Sequence, residues 1–508
     1  MNKFFLSNKK LFFWLFLSIL LIDRIFTLTH FSFLYTDIDQ MVTWNCAYDY
    51  SQGVFHEPFF YGQAYNYMIE AFLAVPLLWS NVPIHIALPI VTSLISLLPF
   101  VVLAIIFFRR DYIFWSCLTL AIPVLLPLEY NLLTSMSRGF IQAHLFVPFL
   151  FIPLFAPEKK RNVTILFVAS SLSFFMNQSS VLIILPIALF VFSYHFKSVS
   201  FYLKSLIVIP FYIVDYFAKD YYRLHPERVL HEMVGVELNK ETFYASLKNA
   251  DLFENTFPFF SNWGIIYPFI FILLLVFCII KRKKKEFLFV FSLLVLLIFT
   301  LAVPKIQEFI PDTGVFFTSS RLYLFLPILL VLVLFLVFKK VNFKVLPVFV
   351  LMFFCLIMFS LKNFKIDEKV QKNVSESIFP ISKTIDLNQT NLALQKVSKN
   401  HKINLIVHSI SNGWSFVFNA YAFHPLSENM QNEIPVSVTI EGDRRTWLYK
   451  EGKFAKNILV NGIVIQDSIL QKVDFKRLSI DQVLIKNNKL EVSKLFQSLG
   501  IKYGNTPL

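Results

Sequence analysis

Long apolar runs alternate with short basic clusters over the first 360 residues, and then the pattern stops. A helix needs about 20 mainly apolar residues to cross a hydrocarbon core of roughly 30 Å. Runs that meet or approach this length fall at 11–30, 84–108, 112–130, 143–157, 162–178, 179–196, 205–218, 264–280, 287–304, 321–338 and 345–361. The pattern therefore predicts about eleven transmembrane helices. The first run follows Lys3, Lys9 and Lys10, as a signal peptide would. It lacks a small-residue cleavage site and runs on into Asp23 and Arg24, so an uncleaved helix is expected.

The charges between the runs alternate. Arg109–Arg110, Lys159–Arg161, Lys197 with Lys204, Lys281–Lys285, and Lys339–Lys340 with Lys344 occupy every second loop. Cytoplasmic loops carry such an excess, so the N-terminus is expected in the cytoplasm. Richness in Phe, Ile, Lys and Asn suggests an AT-rich, bacterial genome, so the membrane is expected to be a bacterial inner membrane. Loops 31–83, 131–142, 219–263 and 305–320 are then expected outside. With eleven spans, so is everything after 361. That tail, 362–508, is polar. Apolar stretches at Ile403–His408, Val436–Ile440 and Gln482–Ile485 read as strands, and Ser415–Ala422 and Val492–Leu499 as helices. Strands alternating with helices predict a small extracytoplasmic α/β domain behind a transmembrane domain covering 1–361.

Composition narrows the class. Of 508 residues, 56% are hydrophobic and only 16% charged, against roughly 25% charged in soluble domains. An ordinary cytoplasmic enzyme cannot hide that much apolar surface. The 61 Phe exclude disorder. The net charge of +14 sits largely in the loop clusters, so it marks membrane topology and membrane lipids rather than nucleic acid as the contact. Cys46, Cys117, Cys278 and Cys355 are far apart, without disulfide or metal-ligand spacing.

The first outer loop is too long for a connector. It reads TDIDQMVTWNCAYDYSQGVFHEPFFYGQAYNYMIEAFLAVPLLWSN from Thr36. One helix is expected from about Asp37 to Gln52, ending at Gly53. A second, lying on the membrane surface, is expected from about Gln63 to Trp79. Asp37 and Asp39 stand at the start of the first. Their bland reading is a capping box, with Thr36 capping and Asp39 three residues on. Their functional reading is a carboxylate base acting on a hydroxyl at the membrane boundary. The two are compatible.

This arrangement of apolar helix, acidic pair, helix ending in Gly, aromatic-Pro-Tyr-Gly-Gln segment and amphipathic helix resembles the first loop of GT-C superfamily membrane glycosyltransferases. The nearest branch contains the protein O-mannosyltransferases and the lipid A aminoarabinose transferase. The resemblance covers roughly residues 10–340. Its Asp-Glu pair falls on Asp39-Gln40, with Gln40 replacing Glu, or Asp37 and Asp39 share the part. It implies transfer of a sugar from a polyprenyl-phosphate or diphosphate donor to an extracytoplasmic hydroxyl of lipid A, protein or surface glycan. Asp39 or Asp37 would be the base. The donor phosphate would need outer cations, and Arg138 and Arg321 sit against the positive-inside pattern where such cations would be. An arginine there can instead snorkel to lipid head groups.

Further candidates are weaker. His56 and Glu57 flank a Pro turn at a conceivable acceptor entrance, with Tyr61 and Gln63 beside them. Glu70 is expected mid-helix among apolar residues. The loop 219–263 offers Arg223 and His225 among tyrosines, suited to sugar and phosphate or simply solvated. No metal site is expected: His56 and nearby acids could hold a divalent cation, but no spacing such as HExxH supports one. Competing classes are an O-antigen-type polymerase or ligase, resting on outer arginines and a histidine, and a flippase or transporter, for which inverted repeats and mid-membrane acids would be expected. Topology gives the first test. A reporter active only in the cytoplasm, fused after Leu508, should be silent; activity would mean an odd error in the span count.

Overall fold

A computed structural model describes residues 9–230, 237–248, 253, 255–259, 264–304, 306–307, 323–341, 345–377, 380–409, 415–427, 434–438, 444–445, 454–462 and 466–501. A helix lies in each of the eleven apolar runs. Among the described residues, five helices are long and apolar enough to cross a membrane: Lys9–Ser32, Ile84–Arg109, Gln178–His195, Val199–Leu224 and Leu346–Asn363. Others are shorter. Val147–Phe155 has nine residues, about 14 Å of helix and half the hydrocarbon thickness.

The described residues form two compact units. The first comprises 1–32, 90–215 and 234–378; the second comprises 33–89, 216–233 and 379–508. In the first, Phe12, Phe16 and Leu20 of the N-terminal helix pack with Cys117, Leu120, Ala121 and Val124 and with Val348, Leu351 and Cys355. The helix Leu326–Phe338 is apolar on every face and buried on nearly every face, as expected of a helix enclosed by others.

Charge is buried in this unit, although the runs look nearly uncharged in sequence. Lys362 Nζ lies 2.6 Å from Asp23 Oδ2, with both side chains almost wholly buried. Asn131 Nδ2 donates to Asp23 Oδ2 at 2.9 Å and Asn363 Nδ2 to Oδ1 at 3.1 Å. Arg24 donates to the Asn131 carbonyl at 3.2 Å and to Thr134 Oγ1 at 3.3 Å. The first apolar run, the 131–134 segment and the end of the last run are thus tied by one polar network that gives both Asp23 oxygens donors. An ion pair persists in such surroundings only when its remaining lone pairs and protons are also bonded.

The second unit holds the first loop and the polar tail from 379 onward, while residues 362–378 of the tail belong to the first unit. Five strands form one sheet: β3 (Leu405–His408), β4 (Val436–Val438), β5 (Asn457–Asn461), β6 (Asp474–Ser479) and β7 (Gln482–Lys486), in the order β4-β3-β5-β7-β6. β3 is parallel to β4 and β5, and β7 is antiparallel to β5 and β6. Period-2 alternation sorts the core. Leu405, Val407, Ile458, Val460, Val483 and Ile485 face the helix Val492–Ser498. Ile406, Leu459 and Leu484 face Leu394 of Thr384–His401, with Ala420 and Phe423. Both faces are covered, so this is a three-layer α/β domain. The expected strands and helices are present within a residue or two where described; residues 439–440 of the expected second strand lie outside the described residues. The helix Thr384–His401 and strands β5 and β6 are additional to the expectation.

The first loop joins this domain inside the same unit. The strand β1 (Tyr35–Thr36) pairs with β2 (Ser382–Lys383). Thr384 N donates to the Leu34 carbonyl at 2.9 Å. Asn45 Nδ2 bonds the Tyr421 carbonyl at 2.7 Å.

The buried pair yields a stability test. Lys362→Ala leaves the buried Asp23 carboxyl without its cationic partner, and should cost about 3–5 kcal/mol, read as a fall in thermal midpoint in detergent. Joint replacement by Lys362→Met and Asp23→Leu should recover part of it, and a double variant worse than the single would refute this account.

Candidate functional site

The first-loop helix Ile38–Ser51 is fixed at both ends by its own sequence. At its start Asp37 is the N-cap: its Oδ1 accepts from Gln40 N at 2.8 Å. The expected cap was Thr36, one residue earlier. Thr36 is instead extended in β1, opposite Ser382. The return half of a capping box is missing, because neither polar atom of the buried Gln40 side chain makes a hydrogen bond. At its end Gly53 takes φ +74°, with Gly53 N bonded to Tyr50 O and Val54 N to Asp49 O. These are the two bonds of a Schellman stop.

The acidic pair is thereby divided. Asp37 is 3% exposed and engaged in capping. The Asp39 side chain is 34% exposed and its Oδ1 accepts from Arg444 Nη1 at 2.8 Å. Arg444 comes from the tail, and its side chain is 12% exposed. Its guanidinium lies 5.2 Å from the centre of the Phe60 ring, and its backbone N donates to the Tyr421 hydroxyl at 2.9 Å. Gly62, at φ +82°, makes room for it: a Cβ there would stand 2.8 Å from Arg444 Cγ and 3.1 Å from Leu230 Cδ1.

Around the Pro58 turn the expected residues gather. The His56 carbonyl accepts from the Tyr221 hydroxyl at 2.9 Å and from the Arg228 guanidinium. The Tyr61 hydroxyl donates to Asp49 Oδ2 at 2.7 Å, and His56 Nε2 lies 3.7 Å from the same oxygen. Phe59 N donates to the Tyr222 hydroxyl at 3.0 Å. Glu57 is buried, and neither of its carboxyl oxygens has a hydrogen-bond partner of good geometry. Burial pushes its carboxyl up to about 8, against the Arg228 charge, the Tyr222 hydroxyl and the Gly62 amide, which favour ionisation. It is held as the neutral acid near neutral pH.

Other candidates fall elsewhere. The second loop helix begins at Ile69, not Gln63, because Asn66 turns the chain at φ 74°. Glu70 is consequently in a first turn, not mid-helix, and is buried. Gln63 precedes that helix and has a buried Oε1 without a hydrogen bond. Arg223 is exposed, paired with Asp220 and lying over the Tyr216 ring. His225 Nδ1 is 3.3 Å from Glu227. Both can serve as solvated surface pairs.

Arg138 belongs to the first unit. It is 2% exposed, with Nη2 3.3 Å from Met136 Sδ. Its loop is pinned from several sides: Ser32 Oγ donates to Ser135 Oγ at 2.6 Å, Thr92 and Ser137 hydroxyls are 2.5 Å apart, and Asn177 donates to the Gly139 and Phe140 carbonyls. So deep a guanidinium does not reach toward lipid head groups as a snorkelling side chain would. Arg321 and residues 308–320 lie outside the described residues.

Two functional-looking residues were not legible. Arg444 carries no local motif. Asp49 offered one signal: an acid near a helix C-terminus opposes the dipole and calls for partners, and it has Tyr61. Among the described residues, no three or more His, Cys, Asp and Glu side chains gather as a metal site would need. No family model, no curated protein and no solved structure matches the chain.

Glu57 gives a pH test. The folded chain keeps its proton up to about 8, while the unfolded chain releases it near the ordinary 4.5. Between these values the native state binds more protons, so stability is highest below the window and declines as pH rises through it. Each unit of elevation is worth about 1.4 kcal/mol. Glu57→Gln should flatten this decline and raise the thermal midpoint near pH 8 relative to wild type; parallel pH profiles for the two proteins would contradict the assignment.

Proposed function

We propose that the chain is a membrane glycosyltransferase that moves a sugar from a polyprenyl-phosphate or diphosphate donor to a hydroxyl on the outer side of a bacterial cytoplasmic membrane. Asp39 removes the acceptor proton. The freed oxygen forms a bond to the anomeric carbon from the face opposite the phosphate, and the carbon–oxygen bond to the phosphate breaks, inverting the centre. Arg138 and Arg321 have the chemistry for the phosphate role, and Arg138, 2% exposed, fills it only where its surroundings uncover it. The acceptor class is lipid A, a protein hydroxyl or a surface glycan.

The observation that carries this reading is the division of the acidic pair. Asp37 is occupied in capping and nearly inaccessible, while Asp39, two residues on, is one-third exposed and held by a cation. A base must be both reachable and positioned, and of the two only Asp39 is. Eleven spans and a cytoplasmic N-terminus belong to the same proposal. Its support is that the segments of the second unit, 33–89, 216–233 and 379–508, are largely those which the charge alternation puts outside.

A transporter would draw on Asp23, an acid buried within an apolar run. Yet Asp23 is engaged by Lys362, Asn131 and Asn363 at once, and so full a shell suits a fixed joint better than an acid that must exchange its partner.

Asp39→Asn should lower turnover by about 10²–10⁴-fold with the protein folded and inserted, seen as loss of the modified glycan by mass spectrometry of cell-surface material. Asp37→Asn keeps a good cap and should cost far less. If both variants support the wild-type glycan profile, the transfer mechanism is wrong.

A further inference from the structure

Resting on the transfer reading, we propose that Arg444 of the C-terminal domain is a positioning residue for the Asp39 carboxylate, so that this domain completes the site rather than merely adjoining it. The geometry is over-determined. Arg444 reaches Asp39 at 2.8 Å, and Tyr421 bonds both the Arg444 backbone and the helix that carries Asp39. The Tyr421 hydroxyl accepts from Arg444 N at 2.9 Å, and its carbonyl accepts at 2.7 Å from Asn45, which follows Asp39 on the same helix. The next residue, Arg445, lies over the Tyr421 ring at 4.4 Å and donates to the Ala420 carbonyl at 3.1 Å. Phe60 supplies a face for the guanidinium, and Gly62 leaves space for its stem.

Each of these contacts removes a freedom that an exposed aspartate would otherwise have. Asp39 has several rotamers open to it at a helix start; a planar guanidinium, itself fixed at ring, stem and backbone, selects one. A positioned base differs from a merely present one by the orientation factor, and a displacement of about 1 Å can cost on the order of 100-fold in rate. Arg444 does not touch the reacting atoms in this account. It acts through Asp39.

The test uses the full-length protein in membranes, with a lipid-linked sugar donor and measured kcat and KM. Arg444→Gln should lower kcat by about 10- to 100-fold and leave the donor KM within about twofold, since positioning acts on the chemical step. Arg444→Lys should restore part of the loss. Gly62→Ala, whose methyl would press on the Arg444 stem, should reproduce the kcat loss without removing any charge. In an Asp39→Asn background, Arg444→Gln should cost nothing further. Wild-type kcat in Arg444→Gln overturns the inference, as does a loss that multiplies with that of Asp39→Asn. A raised donor KM at unchanged kcat overturns it too, by making Arg444 a donor-binding residue. A wild-type protein that moves no sugar from any polyprenyl-linked donor overturns the transfer reading itself, and the inference with it; an active wild type with an equally active Arg444→Gln overturns the inference alone.

Discussion

A guanidinium placed against a glycine and an aromatic ring, with little of it in water, must find a carboxylate. Arg444 is in that position, and Asp39 is the carboxylate. Much of the second unit can be read as the consequence. Gly62 has to lack a Cβ. The helix bearing Asp39 has to start where it does, which the Asp37 cap enforces, and stop where Gly53 lets it. The tail has to reach back to the first loop, which the β1–β2 ribbon and the Asn45–Tyr421 bond achieve. Each feature is modest alone. Together they convert an acidic pair that could have been two equivalent surface charges into two residues with different work.

What the sequence discloses and what it hides follow one rule. Local periodicity is legible; contacts between distant segments are not. Leu405–His408 and Val492–Ser498 are strongly apolar and bounded by polar residues, so they can be read directly. β6, DFKRLS, is an edge strand with no fully buried residue, and only its pairing with β7 makes it a strand. The helix Thr384–His401 is largely polar, and its inward positions include Asn391 and Ser398 as well as Leu387 and Leu394, so its stripe is not an apolar one. Gly53 announces a helix end; Asn66, in the left-handed region, hides a helix start. Arg444 lies 405 positions from Asp39, and no spacing rule connects them. The membrane runs are legible as runs, while their lengths as helices are set by Pro residues and turns.

The first unit shows the same constraint in less polar surroundings. There Asp23 and Lys362 neutralise each other, with asparagines taking the remaining carboxylate valence. A carboxylate so completely bonded has little capacity left for chemistry. Asp39 is different in kind. It has a cationic partner and still keeps about a third of its surface open. Burial with both oxygens engaged makes a joint; partial exposure beside a firm cationic partner makes a candidate base.

Glu57 completes the comparison as a third acidic environment in the same chain. It is buried with a cation nearby but without well-formed hydrogen bonds, and the neutral form prevails near neutral pH. A neutral carboxylic acid has a proton to donate as well as an oxygen to accept with. Three carboxyl groups thus occupy three environments: buried and fully bonded, paired and partly open, protonated and enclosed. What sorts them is not distance along the chain but the number of donors that the fold brings to each and the water it leaves there. That sorting also shows why the Pro58 turn has the form it has. It sets Glu57 on the buried side and Phe60 and Gly62 against the Arg444 side chain, so that an enclosed acid and the cation holding an open one share a segment of six residues.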